Sequence, residues 1–316
     1  MLRRTLLAAS RSPRLERAAR TAPVARSVVR RYVAGDRAGD ALRVTRELCS
    51  AGLRVTIDNL GEDVTERAHA ERTAHEYVAL LRRIAEDGLA PWAEVSVKLS
   101  ALGQKLGGNG AAPSPDGEKI ALDNAARICA AAEAAGTTVT LDMEDHETVD
   151  STLGILAQLR VDHPRTGAVI QSYLRRSEGD CLALAGPGSR VRLCKGAYDA
   201  PASAAFTRRR DIDLSYARCL RVLMNGRGHP MVATHDPRLI DLAVALAALG
   251  GRDPGTYELQ MLYGVRPRAQ ARLAAEGQRV RVYVPYGDDW YGYLVRRLAE
   301  RPANLAFFLR SLLGRG

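Results

Sequence analysis

Ala93–Ser100 reads AEVSVKLS, a short β-branched run that closes on a lysine and a serine. Runs of the same kind recur at Leu53–Leu60 (LRVTIDNL), Thr137–Glu144 (TTVTLDME), Gly167–Tyr173 (GAVIQSY) and Arg190–Ala197 (RVRLCKGA). Pro230–Asp236 (PMVATHD), Tyr257–Gly264 (YELQMLYG) and Arg279–Gly287 (RVRVYVPYG) complete a set of eight. Helical patterns lie between and after them at Thr65–Gly88, Lys119–Ala135, Thr148–Leu159, Ser203–Asn225, Pro237–Leu249, Pro267–Glu276 and Trp290–Arg301. Strand–helix alternation predicts a parallel sheet with right-handed crossovers. Eight such units in about 250 residues fit a closed (βα)₈ barrel better than an open sheet. No GxGxxG follows any strand, and Leu106–Pro115 (LGGNGAAPSP) reads as a loop, so a dinucleotide-binding Rossmann domain is not supported.

The chain has 316 residues, 46% hydrophobic and 26% charged, which is enough apolar material for a core and excludes global disorder. No apolar run approaches the roughly 20 residues of a membrane span, so a soluble protein is expected. Five cysteines (Cys49, Cys129, Cys181, Cys194, Cys219) without a CxxC pair argue against a disulfide scaffold or zinc site and fit a reducing compartment. The net charge is +10, yet Met1–Arg31 holds nine Arg and one Glu, a balance of +8 that leaves only +2 for the rest. Nucleic-acid binding by the main body is therefore disfavoured. The arm suits a basic helix packed on the domain, with membrane-surface attraction and import targeting as alternatives. The expected organisation is a basic helical arm over residues 1–45 and a catalytic barrel over 46–316. Only four residues are Lys (Lys98, Lys105, Lys119, Lys195).

A barrel gathers its strand C-termini at one mouth, where chemistry is placed. The late residues of the runs are Asp58 and Glu62, Lys98, Asp142, Gln171, Arg192 and Lys195, Thr234 and His235, and Gln260. Strands of any barrel turn polar where they leave the core, but that explanation predicts Ser, Thr, Asn and Gly rather than this set. Arg192, Lys98 and Asp142 sit in apolar runs, where a charge needs a partner or ligand to offset desolvation. Pairing of Arg192 with Asp142 is one solution; a cluster of two cations and one anion open to a substrate anion is another. On the last helix, Tyr293, Arg296, Arg297 and Glu300 share one stripe. Adjacent guanidinium groups beside aromatics suit a small carboxylate or phosphate pocket, although an Arg pair taken alone is ordinarily a solvated face. Neither His146 nor His235 with Asp236 has ligand spacing, so no metal site is expected. GxSxG and P-loop patterns are absent.

Taken together, LGE (Leu60–Glu62), SVKLSALG (Ser96–Gly103), LDMED (Leu141–Asp145), RLCKGAY (Arg192–Tyr198), ATHD (Ala233–Asp236), YELQMLYG (Tyr257–Gly264) and RVYVPYG…YLVRRLAE resemble the proline dehydrogenase family, in family order and across the barrel. The length resembles its compact, monofunctional bacterial type. The resemblance implies a distorted (βα)₈ TIM-type barrel carrying FAD, oxidation of L-proline to Δ1-pyrroline-5-carboxylate by hydride transfer to flavin N5, and a quinone acceptor. It implies a separate pyrroline-5-carboxylate dehydrogenase downstream and a cytoplasmic location, with peripheral contact at the inner membrane face or a mitochondrial matrix location as alternatives.

Carried over by motif, Lys98, Arg296 and Arg297 would hold the substrate carboxylate, Tyr293 would pack on its ring and Leu262 would form an apolar wall. Glu62 would pair with the first arginine to close the site. Arg192 would lie near flavin N5, Asp142 would orient the site through Lys98 or substrate-bound water, and Tyr283 matches a tyrosine needed for full activity. Met143, Gln171, Lys195, Gly196, Ala197, Thr234, His235 and Gln260 match flavin-contacting positions. Cys194 stands where the family commonly has Val, and Asp236 where some members have Asn. Alternatives are the same chemistry on hydroxyproline or another cyclic secondary amino acid, or an inert barrel docked by its Arg-rich arm.

Overall fold

The computed structural model describes residues 29–108 and 112–299, the last four by backbone alone. Most of the basic arm, and Glu300, lie outside the described residues. All eight expected strands form: β1 (Arg54–Asn59), β2 (Ala93–Lys98), β3 (Val139–Asp142), β4 (Ala168–Gln171), β5 (Arg190–Cys194), β6 (His229–Ala233), β7 (Glu258–Leu262) and β8 (Val280–Tyr286). They run parallel in the order β3-β2-β1-β8-β7-β6-β5-β4. The ring is drawn together between β3 and β4 by one parallel bridge, Thr140 to Gly167, with Gly167 N donating to Val139 O at 2.8 Å. A side chain at Gly167 would put its Cβ 2.6 Å from Thr140 Oγ1, so the seam needs a glycine. The result is a nearly closed (βα)₈ barrel.

Helices α1 (Ala38–Ser50), α2 (Arg67–Glu86), α3 (Pro115–Ala134), α4 (Val149–Asp162), α5 (Ser177–Leu184), α6 (Arg209–Asn225), α7 (Pro237–Leu249), α8 (Pro267–Ala275) and α9 (Trp290–Ala299) accompany the strands. Their starts follow local chemistry. Ser114 accepts from Gly117 N at 3.0 Å ahead of Pro115, and Asp236 accepts from Arg238 N at 3.2 Å ahead of Pro237. The Ser114 cap therefore starts α3 four residues before the periodic pattern does. The helix expected from Ser203 begins only at Arg209, because the preceding segment is used elsewhere. Ala205 bridges Leu174, and Phe206 N donates to Tyr173 O at 2.8 Å. Helix α1 runs through residue 45 and buries Ala41, Leu42 and Val44 in the main core.

That core lies between sheet and helices. Val55, Ile57, Val95, Val97, Leu141, Ile170, Val191, Leu193, Val282 and Val284 face outward into it. The intervening positions face the lumen, and their polarity runs the length of the strands rather than only at their ends. Thr56 and Asp58, Glu94, Ser96 and Lys98, Thr140 and Asp142, Arg190 and Arg192, Glu258 and Gln260, and Arg281 and Tyr283 all bond across the barrel interior or to a lumen neighbour. Four carboxylates (Asp58, Glu94, Asp142, Glu258) meet four cations (Lys98, Arg190, Arg192, Arg281) there.

Candidate active site

The lumen charges fall into two layers. At the base, Glu94 forms an ion pair with Arg190, accepts from Thr56 Oγ1 at 2.9 Å and Thr138 Oγ1 at 3.1 Å, and lies 3.8 Å from Arg281. Arg281 Nε donates to Glu258 Oε1 at 2.7 Å, and Gln260 Nε2 donates to the same oxygen at 2.6 Å. Burial alone would protonate Glu94, but Arg190, Arg281 and Arg192 around it hold its carboxyl at about 2.

Toward the C-terminal mouth, β5 presents Arg192. Its Nε donates to Gln260 Oε1 at 2.6 Å and its NH1 to Asp142 Oδ1 at 2.7 Å and Ser96 Oγ at 3.0 Å. Its guanidinium stands 5.3 Å from the Tyr283 ring centre, and the Tyr283 hydroxyl donates to Asp142 Oδ2 at 2.7 Å. The sequence left two readings for Arg192, and the pairing with Asp142 is the one that forms. Lys98 does not share that carboxylate, although β2–β3 register sets it opposite Asp142. Its Nζ donates to both oxygens of Asp58, at 2.9 and 2.8 Å, in a fully buried pair. Asp142 therefore bonds Arg192 and Tyr283 and not Lys98. Each buried cation takes a carboxylate of its own, which is what desolvation demands. Burial would discharge Lys98, but Asp58, Asp142 and Glu62 outweigh it and hold the ammonium above its ordinary range. The Tyr283 phenol is pushed well up by burial and then by Asp142 and Asp58, and so stays protonated.

Gln171, at the end of β4, donates from Nε2 to Met143 O at 2.7 Å and Glu144 O at 3.2 Å. Its buried Oε1 has no hydrogen-bond partner among the described residues. Gly196 adopts φ +94°, and a Cβ there would land in the Tyr173 ring. Lys195 pairs with Asp213 and, at 3.4 Å, with Asp236. His235 Nε2 accepts from Leu262 N at 2.9 Å, which puts the ring proton of the neutral imidazole on Nδ1. Thr234 Oγ1 accepts from Asp236 N, Met143 is buried against Val169 and Tyr173, and Ala197 and Leu262 are half-buried. The Tyr198 hydroxyl donates to Glu62 Oε1 at 3.4 Å, joining the β1 and β5 loops. Tyr293 is buried on α9; the side chains of Arg296 and Arg297 lie outside those described.

Among the partners that escaped the sequence reading are three at the mouth. Asp58 appeared there as a strand-end residue without its role as the partner of Lys98, and Ser96 and Glu144 went unassigned. Glu144 accepts from Ser100 N at 3.1 Å and Ser100 Oγ at 2.6 Å, and burial, then the charge of Glu62, raises its carboxyl to about 7. The signal was the period-two polarity of AEVSVK and TLDME.

A (βα)₈ barrel whose mouth holds a guanidinium, an ammonium and a phenol over paired carboxylates is an enzyme scaffold. A family model described as Proline dehydrogenase matches residues 41–310, and this chain belongs to that family. Proline dehydrogenase 1 of Bacillus subtilis (strain 168) is 37% identical over 313 residues, 99% of each chain. Proline dehydrogenase of Deinococcus radiodurans is 37% identical over 317 residues, 99% of this chain and 98% of that one. Among solved structures, proline utilization A from Bdellovibrio bacteriovorus, inactivated by N-propargylglycine, superposes with a TM-score of 0.79 at 25% identity. The match covers 90% of this chain and 34% of that one, so this chain spans about a third of that protein.

Proposed function

We propose that this protein oxidises L-proline to Δ1-pyrroline-5-carboxylate with FAD as cofactor and passes the electrons to a quinone. Family membership supports the substrate, and the observation that carries the flavin reading is the buried Arg192 held in one orientation by Asp142, Ser96 and Gln260. The residues present fit a flavin. Gln171 Oε1 is a buried acceptor in need of a donor such as a ring imide N–H, and Lys195 and Arg192 supply positive charge. Met143, Gly196, Ala197, Thr234, His235 and Gln260 would complete the contacts. FAD would supply the hydride acceptor, its N5.

The chain's own groups would do the rest. Lys98 spends two donors on Asp58 and retains a third N–H, which would hold the substrate carboxylate together with Arg296 and Arg297. Tyr293 would pack on the substrate ring, Leu262 would wall it, and Glu62 would close over it. Arg192 would oppose the negative charge that grows on the cofactor, with Asp142 and Tyr283 keeping the guanidinium in place. Substrate must enter with its amine deprotonated, so kcat/KM for proline should rise with pH; a flat profile from mildly acidic to alkaline pH contradicts this mechanism.

The product would go to a separate dehydrogenase, and the bacterial relatives support a cytoplasmic location. Among the described residues no helix is long and apolar enough to cross a membrane. The decisive experiment is an anaerobic proline titration of the purified protein's visible spectrum. A yellow preparation bleached by proline is expected, and a colourless or unresponsive one overturns the reading. N-propargylglycine should inactivate the enzyme irreversibly.

A further inference from the structure

The loop from β1 to α2 carries Glu62 toward Tyr198 on the β5 side of the mouth. Its next residue, Asp63, has φ +52°, the left-handed region that side chains other than glycine seldom adopt. Such a conformation persists only where surrounding contacts hold it. Here Asp63 N donates to Ser100 Oγ at 3.1 Å, Val64 N donates to Ser100 O at 3.3 Å, and Ser100 Oγ donates to Glu144. A further contact comes from Lys105. Its Nζ donates to Asp63 Oδ1 at 2.7 Å and to Asp145 Oδ2 at 3.2 Å.

Lys105 differs from an ordinary surface ion pair. Its own side chain is 6% exposed, against 55% for Asp63 and 23% for Asp145, and its two carboxylates come from different loops. Asp63 follows Glu62. Asp145 follows Glu144, and the carbonyls of Met143 and Glu144 seat the Gln171 amide. One ammonium therefore ties the loop that overhangs the mouth to the loop that lines it. Lys119 makes the useful contrast: it pairs with Asp123 one helical turn away, and both are exposed.

We propose that Lys105 is a positioning residue that clamps the β1 loop through Asp63 and the β3 loop through Asp145, fixing the height of Glu62 over the mouth and so the retention of substrate. This rests on the reading of the mouth as the proline site. Lys105 touches neither substrate nor cofactor in this scheme. Its loss should weaken substrate binding and leave Lys98, Arg192 and Asp142 undisturbed.

The test uses the full-length holoenzyme and the variants Lys105→Met, Lys105→Arg and Asp63→Asn, the last because Asn tolerates the left-handed region. Lys105→Met and Asp63→Asn should each raise KM for proline by about two- to tenfold, with kcat and bound flavin within about twofold of wild type. The double variant should be no worse than the worse single one, since Lys105→Met already removes the contact that Asp63→Asn weakens. Lys105→Arg, which keeps the charge, should restore most of the KM. Hydrogen–deuterium exchange over residues 60–66, read without proline, should quicken in Lys105→Met. Unchanged KM with a lowered Tm, multiplying effects in the double variant, or no rescue by Arg would each overturn the clamp. If wild-type protein ignores proline, the proposed function fails on its own, and the exchange experiment still decides: faster exchange upholds the clamp, and unchanged exchange refutes it.

Discussion

The base and the mouth of the lumen are built from the same strands and the same residue types, yet they are finished differently. At the base, Glu94 and Glu258 are matched by Arg190, Arg281 and the amide of Gln260, and no carboxylate or guanidinium there lacks a partner among the described residues. Higher up, Gln171 keeps an unmet buried oxygen, Glu144 is held near neutral pH and Lys98 has a donor to spare. A closed network resists rearrangement, whereas a partly satisfied one is costly unless a ligand completes it. The contrast says that the base is a frame and the mouth a site. It also explains how a barrel can be polar inside: its hydrophobic core has been moved outward, between sheet and helices.

Substitutions should separate the two layers. The largest stability effect belongs to the base. Glu258→Ala takes from Arg281 its 2.7 Å partner, leaving Glu94 at 3.8 Å and the Val55 carbonyl, and should cost about 3–5 kcal/mol in urea unfolding, with any folded remainder still active. A loss under 1 kcal/mol would dissolve the distinction. At the mouth, Arg192→Met should slow flavin reduction by about 10²–10³ in stopped-flow measurements. It should destabilise less than Glu258→Ala, because Asp142 keeps Tyr283 and Ser96 as donors and stands nearer solvent. Arg296→Met and Arg297→Met remove charge-assisted bonds of about 1.5–3 kcal/mol each and should raise KM for proline by roughly ten- to a hundredfold. Unchanged KM in both would take them out of the carboxylate pocket.

The smallest effect is a pH dependence at Glu144. With its carboxyl at about 7 when folded, against 4.5 as the ordinary value, the native state keeps a proton that the unfolded chain has released. Stability from this group is complete below 4.5 and lost as pH climbs to 7. Denaturation midpoints at pH 5 and 7.5 should differ accordingly in wild type and converge in Glu144→Gln. Glu62→Gln should shrink the difference, since Glu62 contributes to the shift.

Legibility followed the range of the interaction. The eight strands could be read because β-branched runs and turn residues act over a few positions, and the order of the motifs tied them to one family. The start of α3 was misplaced because the Ser114 cap outweighs a pattern that begins only with Lys119. The segment before Arg209 became a loop because Ala205 and Phe206 found partners near Tyr173, more than 30 positions away in sequence.

The amino-acid sequence by itself determined the barrel, the family and the roster of charged groups at its mouth, since periodicity, caps and motif order are local properties of the chain. Only the tertiary structure decided who pairs with whom. Lys98 meets Asp58 rather than Asp142, Arg192 takes Asp142 with Tyr283 at its side, and Lys105, an unremarked lysine in a loop, bridges Asp63 and Asp145. Those choices depend on strand register, barrel stagger and the energy of burying each charge beside the nearest opposite one, and none of these is defined until the ring is drawn together.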